Sequence, residues 1–103
     1  MNFNNKGYVT QGYMNEIPKV VQLMISSMLH KRIESKKEVD YLQVFKLIRE
    51  RSFDGAIYQK IVHKQEQPPM EDVYCLVTDE AVNETVFCID DGAHHTFLLS
   101  REY

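Results

Sequence analysis

One change of period organises this chain. Across residues 17–35 the apolar side chains Ile17, Val20, Val21, Met24, Ile25 and Met28 recur at the spacing of one helical face. Leu23 and Leu29 widen that face beyond the usual apolar stripe, so such a helix either covers a sheet closely or offers a flank to a partner. Asn15 is placed to cap it, with Glu16 and Pro18 suited to its first turn. Lys31, Arg32, Lys36 and Lys37 suit the negative end of its dipole. Met24 and Met28 invite a binding-groove reading, since methionine adapts to many partners, but core packing against a sheet is the preferred one.

After Glu38 the period falls to two. Residues 41–48 alternate as a strand with an aromatic-bearing face and an aliphatic face. Ser52-Phe53-Asp54-Gly55 reads as a turn, and residues 56–63 as a strand pairing back on the first. Pro68-Pro69 makes residues 64–70 a loop, since neither strand nor helix continues through it. Further strands are expected at residues 73–78, 85–89 and 96–100, with a loop over 79–84. Residues 8–10 are a short β-prone piece, and Gln11-Gly12 a break before the helix. The pattern predicts a single α+β domain over residues 1–103. One long helix packs on a mainly antiparallel sheet of about five strands, because an apolar sheet face must be covered. Short connections favour hairpins between sequential strands.

At 103 residues the chain can bury one core without disulfide or metal staples. Cys75 and Cys88 each sit in an apolar strand-like run with no metal-ligand or redox spacing, so both are expected as buried free thiols. The N-terminus, MNFNNKGYVT, has no basic segment followed by an apolar run. No apolar window approaches the ~20 residues needed to cross a bilayer. The expectation is a cytoplasmic protein with no membrane partner. Its net charge of −3 hides an asymmetry: residues 1–65 carry a balance of +5 and residues 66–103 one of −8. Glu71, Asp72, Asp79, Glu80, Glu84, Asp90 and Asp91 would, if gathered on one face, repel nucleic acid and attract a basic surface.

The stretch FCIDDGAHHTFLL, residues 87–99, concentrates the candidate chemistry. Asp-Gly between apolar runs is a hairpin signal, because glycine accepts the positive φ of a tight turn. A two-residue turn at Asp91-Gly92 pairs Asp90 with Ala93; a three-residue turn pairs Ile89 with Ala93. In both registers His94 and His95 point to opposite faces, so a regular strand cannot aim both at one metal. One should meet the core edge and the other solvent. A metal-dependent nuclease would need His63 and Glu66 beside Asp90 and His94, a juxtaposition no spacing in the sequence requires. No serine or cysteine has a nucleophile's context, and the glycines at 7, 12, 55 and 92 are isolated. No catalytic residue and no cofactor is therefore assigned, and a non-enzyme is expected. Basic residues Lys31, Arg32, Lys36, Lys37, Lys46, Arg49 and Arg51, with Tyr41, Phe45 and Tyr58 nearby, form the alternative, a nucleic-acid surface on which unpaired bases stack.

Several segments together carry a family resemblance. They are Tyr8-Val9-Thr10, Glu16-Ile17-Pro18 with the apolar helix, Asp40-Tyr41-Leu42-Gln43-Val44-Phe45, Ile61-Val62-His63-Lys64-Gln65-Glu66, Ile89-Asp90-Asp91-Gly92 and Leu98-Leu99-Ser100-Arg101-Glu102-Tyr103. In this order, over nearly the whole chain, they resemble the Firmicute family catalogued as domain of unknown function 960. Met24-Ile25-Ser26, where an aromatic is expected, and the second histidine at His95 depart from that pattern. The resemblance implies no catalytic residue. It implies a setting, since such proteins occur in phages, plasmids and conjugative elements of Gram-positive bacteria as well as in chromosomes. From that setting comes the expectation of a non-enzymatic accessory protein that binds a host protein or ribonucleoprotein. Its most specific form is an inhibitor of a type II CRISPR effector nuclease or of its guide-RNA loading.

Overall fold

The computed structural model describes residues 3–103. Its elements run β1 (Lys6–Val9), α1 (Gln11–Glu16), α2 (Lys19–Glu34), β2 (Leu42–Arg51), β3 (Ile57–Gln65), β4 (Met70–Val77), β5 (Glu84–Asp90) and β6 (His94–Leu99), and a 3-10 turn spans Ser100–Glu102. The α+β class and the single long helix are as expected, but the sheet has six strands rather than about five. The extra member is β1, read from the sequence as a short N-terminal strand ahead of the helix and apart from that sheet. It joins the sheet by running parallel to β6, with Tyr8 opposite Thr96. The strand order is β1-β6-β5-β2-β3-β4. Hairpins join β2 to β3, β3 to β4 and β5 to β6, whereas β5 crosses back to pair with β2.

The start of the helical region differs from the sequence expectation for a local reason. Thr10, not Asn15, is the cap: its hydroxyl accepts from the Tyr13 N–H at 3.2 Å and opens α1 at Gln11, directly over the supposed break. Pro18 then disfavours helical backbone at Ile17, which is extended, and α2 starts afresh at Lys19. Asn15 lies inside α1, accepting from the Gln11 side chain.

Helix α2 lies across one face of the sheet. Val21, Ile25, Met28 and Leu29 pack onto Phe45, Leu47, Ile61, Val86, Cys88, Phe97 and Leu99, and Tyr13 and Ile17 close one end. Met28 is core; Met24 packs against the core from one flank. Cys88 is a buried free thiol as expected, but Cys75 is exposed on β4, because no element covers that strand's outer side. Among the described residues, no helix is long and apolar enough to cross a membrane.

Candidate functional site

The seven acidic candidates occupy two ends of the sheet. Glu71 and Asp72 begin β4, where they face Lys64 at 3.7 Å and Lys31 at 3.5 Å. Asp79 and Glu80 lie in the β4–β5 connection, at the opposite end, together with Glu84, which faces Arg101 at 3.4 Å. Asp91 sits in the β5–β6 turn and accepts from the Ala93 and His94 N–H groups.

Asp90 is buried at 2% exposure and faces inward. Its carboxylate accepts from the Phe3 N–H (3.0 Å), the Asn5 amide (2.8 Å) and the Gly92 N–H (2.9 Å), tying the chain's beginning to the turn. Burial pushes its pKa up, but these bonds and the nearby His95 more than offset that and hold it below the usual carboxylate value. The sign follows: its stabilisation is present above the unfolded carboxylate value near 3.9 and is lost as pH falls through the lower folded value. Asp90→Asn is expected to destabilise the fold by about 2 kcal/mol at neutral pH, since three donors lose a charged acceptor. In urea titrations the two proteins should converge as pH falls below that folded value; equal stability at pH 7 would contradict this role.

The turn itself takes neither expected register. Asp90 pairs with His95 and Ile89 with Thr96, the Asp91 N–H donates to the His94 carbonyl at 3.0 Å, and residues 91–93 connect the strands with Gly92 at φ +97°. The opposite orientation of the histidines holds. His95 turns to the helix side, bonding Asn5 at 2.7 Å and packing edge-on against Phe3 and Phe97. His94 turns to the other face and meets Tyr8 edge-on at 5.1 Å.

The nuclease set does not assemble. His63 faces α2 from β3, Glu66 is exposed in the turn after β3, and β2 separates that strand from Asp90 on β5. Among the described residues no group of His, Cys, Asp and Glu could hold a metal ion. His63 is instead 1% exposed, stacked on Phe45 at 4.2 Å, with Nε2 2.7 Å from Gln43 Oε1. The Gln43 amide nitrogen already donates to the Asp40 carbonyl and Gln65 Oε1, so Oε1 is the acceptor and His63 Nε2 carries the proton. Gln65 continues the chain to the Glu38 and Pro68 carbonyls. Burial pushes the His63 pKa down to about 4, with Arg32 adding to the push and Asp72 opposing it.

The basic candidates are also divided. Lys31, Arg32, Lys36 and Lys37 belong to the end of α2 and the bend after it. Arg49 donates to the Asp79 and Ala81 carbonyls, and Arg51 to that of Gly55. Phe45 is fully buried and cannot stack on a base. Lys46 alone stands exposed on the face of the sheet opposite α2.

That face is the candidate site. Pairing places Lys46 between Thr85 of β5 and Val62 of β3, and alternation puts Val44, Ile48, Lys60, Lys64 and Phe87 on the same side. A shallow depression of about 500 Å³ is lined by Lys46, Ile48, Asn83, Glu84, Thr85 and Ser100. Phe87 meets the Tyr103 ring edge-on at 5.8 Å beside it. Toward the β1 edge, Lys6 Nζ lies 5.5 Å from the centre of the Tyr8 ring. Lys60 faces Glu50 at 3.9 Å and Lys64 faces Glu71, whereas Lys46, the cation of the depression, has no ion pair among the described residues. Sequence reasoning singled out Lys46 but missed Lys6, Tyr8, Phe87 and Tyr103. Phe87 carried a signal in the alternation it shares with its partner Val44, whereas Lys6 and Tyr8 reach this face through the β1–β6 pairing and Tyr103 through the chain's last turn, which no local pattern marks.

A crystal structure titled as the protein of unknown function from Enterococcus faecalis has the same fold. It shares 18% identity at a TM-score of 0.76, over 100% of this chain and 96% of that one. No curated protein matches the chain. The family model described as Staphylococcal protein of unknown function (DUF960) matches residues 6–102, from the start of β1 to the 3-10 turn. With nearly every described residue inside that match, the chain belongs to the DUF960 family of Staphylococcal proteins of unknown function.

Proposed function

We propose that this chain is a non-enzymatic binding protein of a mobile genetic element that modulates host machinery, with the uncovered sheet face as its binding surface. The ligand that suits this face is single-stranded RNA of a host ribonucleoprotein. The observation that carries the reading is the depression around the unpaired Lys46, beside the Phe87–Tyr103 ring pair. A cation on a sheet flanked by aromatic rings is an arrangement that holds a phosphate while an unpaired base stacks. The most specific form of the proposal is an inhibitor of a type II CRISPR effector that competes for guide RNA before loading. An acidic surface entering a basic channel has less support, because its residues lie at two ends of the sheet and Asp90 is buried.

Fluorescence anisotropy with a labelled single-stranded RNA at about 50 mM salt tests this. Binding that weakens as salt rises is expected, with the RNA intact whether or not EDTA is present. Lys46→Glu should lower affinity about tenfold, since it removes a phosphate contact and adds a repelling charge. Absence of binding at that salt would remove RNA as the ligand. Equal binding by Lys46→Glu would remove this face, and EDTA-sensitive cleavage would make the protein an enzyme.

A further inference from the structure

The two edges of the sheet are finished differently. The β1 edge is four residues long, carries Lys6 and Gly7, and resists pairing with another chain. The β4 edge is eight residues long, with no lysine or proline and an uninterrupted register against β3. Its second half, Val73-Tyr74-Cys75-Leu76-Val77, is apolar, and Val77 is 78% exposed. Such an edge is a template for a further strand.

The geometry of that edge can be read from one bond. The Thr78 N–H donates to the Ile57 carbonyl at 3.2 Å, in register with the β3–β4 ladder. Antiparallel residues alternate in the neighbour to which they direct both backbone groups. Asp72, Tyr74 and Leu76 therefore bond β3, while Glu71, Val73, Cys75 and Val77 direct theirs away from the sheet. Alongside, the flank of α2 leaves a groove of about 160 Å³ lined by Met24, Ser27, Met28, Lys31, Val73 and Tyr74.

We propose that β4 pairs with β4 of a second copy of this chain, antiparallel about a two-fold axis at Tyr74, so that two sheets continue as one. Outward-directed residues must oppose outward-directed residues, which leaves few registers. An axis at Val73 opposes Val77 to Pro69, which has no N–H to give. An axis at Cys75 opposes Glu71 to Asp79, two like charges. The axis at Tyr74 opposes Glu71 to Val77 and Val73 to Cys75, so every outward residue is matched and no like charges meet. It also sets Tyr74 against its own counterpart, a favourable cross-strand aromatic pair. Asp79 and Glu80 of each copy reach the Met70 end of the other, beside a cleft of about 190 Å³ lined by Lys31, Arg32 and Lys37 and also by Glu71 and Asp72. Met24 and the flank of α2 gain the second copy's Leu76 as a neighbour, and the uncovered sheet face extends across both copies.

Sedimentation from about 1 to 100 μM should show a dimer forming as concentration rises. Val73→Lys and, independently, Val77→Glu, whose carboxylate would oppose Glu71 of the second copy, should give a monomer with an unchanged far-UV spectrum, since both side chains are exposed. Val73→Cys tests the register. Its thiol would lie opposite Cys75 of the second copy with Cα atoms about 5.5 Å apart, within disulfide reach. Mild oxidation should then give a covalent dimer on a non-reducing gel, which the unmodified chain should not give, because its Cys75 residues are diagonal neighbours. A monomer at every concentration, or a dimer that survives both variants, would overturn the pairing. Ready bridging of unmodified Cys75 to itself would overturn the axis. A chain that stays monomeric but binds an unrelated extended peptide at β4 would give the edge a different occupant.

Discussion

Phe45→Ala is expected to destabilise the fold by about 3–5 kcal/mol, as removal of a fully buried aromatic ring does where the surroundings cannot collapse. Phe45 is fully buried on β2, a central strand with β5 on one side and β3 on the other. Its ring stacks on His63, and the core cluster beneath α2 includes it. Total stability for a chain of this length is about 5–15 kcal/mol, so the variant would retain little of it or none. At about 4–8 °C per kcal/mol the melting temperature should fall by roughly 15–30 °C. Calorimetry or a urea titration measures this directly. A loss under about 1 kcal/mol would mean that α2 does not press the core onto this strand.

The second large effect is a pH dependence. In the unfolded chain histidine titrates near 6.5, whereas folded His63 is held down to about 4. A depressed histidine favours the neutral form, so its contribution is complete above about 6.5 and is lost as pH falls toward 4. Across that window the loss is about 3 kcal/mol. His95, also lowered, mainly by burial and opposed by Asp90, adds in the same direction. His63→Gln can still donate to Gln43 Oε1 but does not titrate, and its stability should be much flatter between pH 6.5 and 4. Measured in urea at steps across that range, parallel curves for the two proteins would contradict the buried neutral histidine.

The sequence carried the class of fold because its two periods are physical consequences of helix and strand geometry. It did not carry which face of the sheet is covered. Along β3 the buried face is Gln59, Ile61, His63 and Gln65, and the uncovered face is Tyr58, Lys60, Val62 and Lys64. Both faces mix apolar and polar residues, so hydropathy cannot rank them. The buried glutamines are admissible only because they bond loop carbonyls: Gln59 donates to Val82 at 3.0 Å and accepts from its N–H at 2.8 Å. Several of those partners are distant in sequence: Val82 lies 23 residues from Gln59 and Glu38 27 residues from Gln65. Asp90 failed as a surface candidate for the same reason, since its donors at Phe3 and Asn5 are 87 and 85 residues away. The orientation of His94 and His95 was legible because it depends only on the pleat. The register of the turn was not, because the Asp91 carboxylate, accepting from the Ala93 and His94 N–H groups, sets it together with the bond from the Asp91 N–H to the His94 carbonyl.

The place of β5 beside β2 gives the uncovered face its character. Only that crossing brings Thr85 and Phe87 next to Lys46 and Val44, and the chain's end lays Tyr103 against Phe87. The sequence held the parts of this surface some forty residues apart.

The central claim is that this face, and not the end of α2, receives RNA. Titrating isotopically labelled protein with single-stranded RNA at about 50 mM salt and following backbone amide resonances tests it most directly. Shifts are expected to concentrate at Tyr8, Lys46, Thr85, Phe87 and Tyr103, with Lys31, Lys36 and Lys37 little changed. Shifts confined to the end of α2, or none at all, would contradict it.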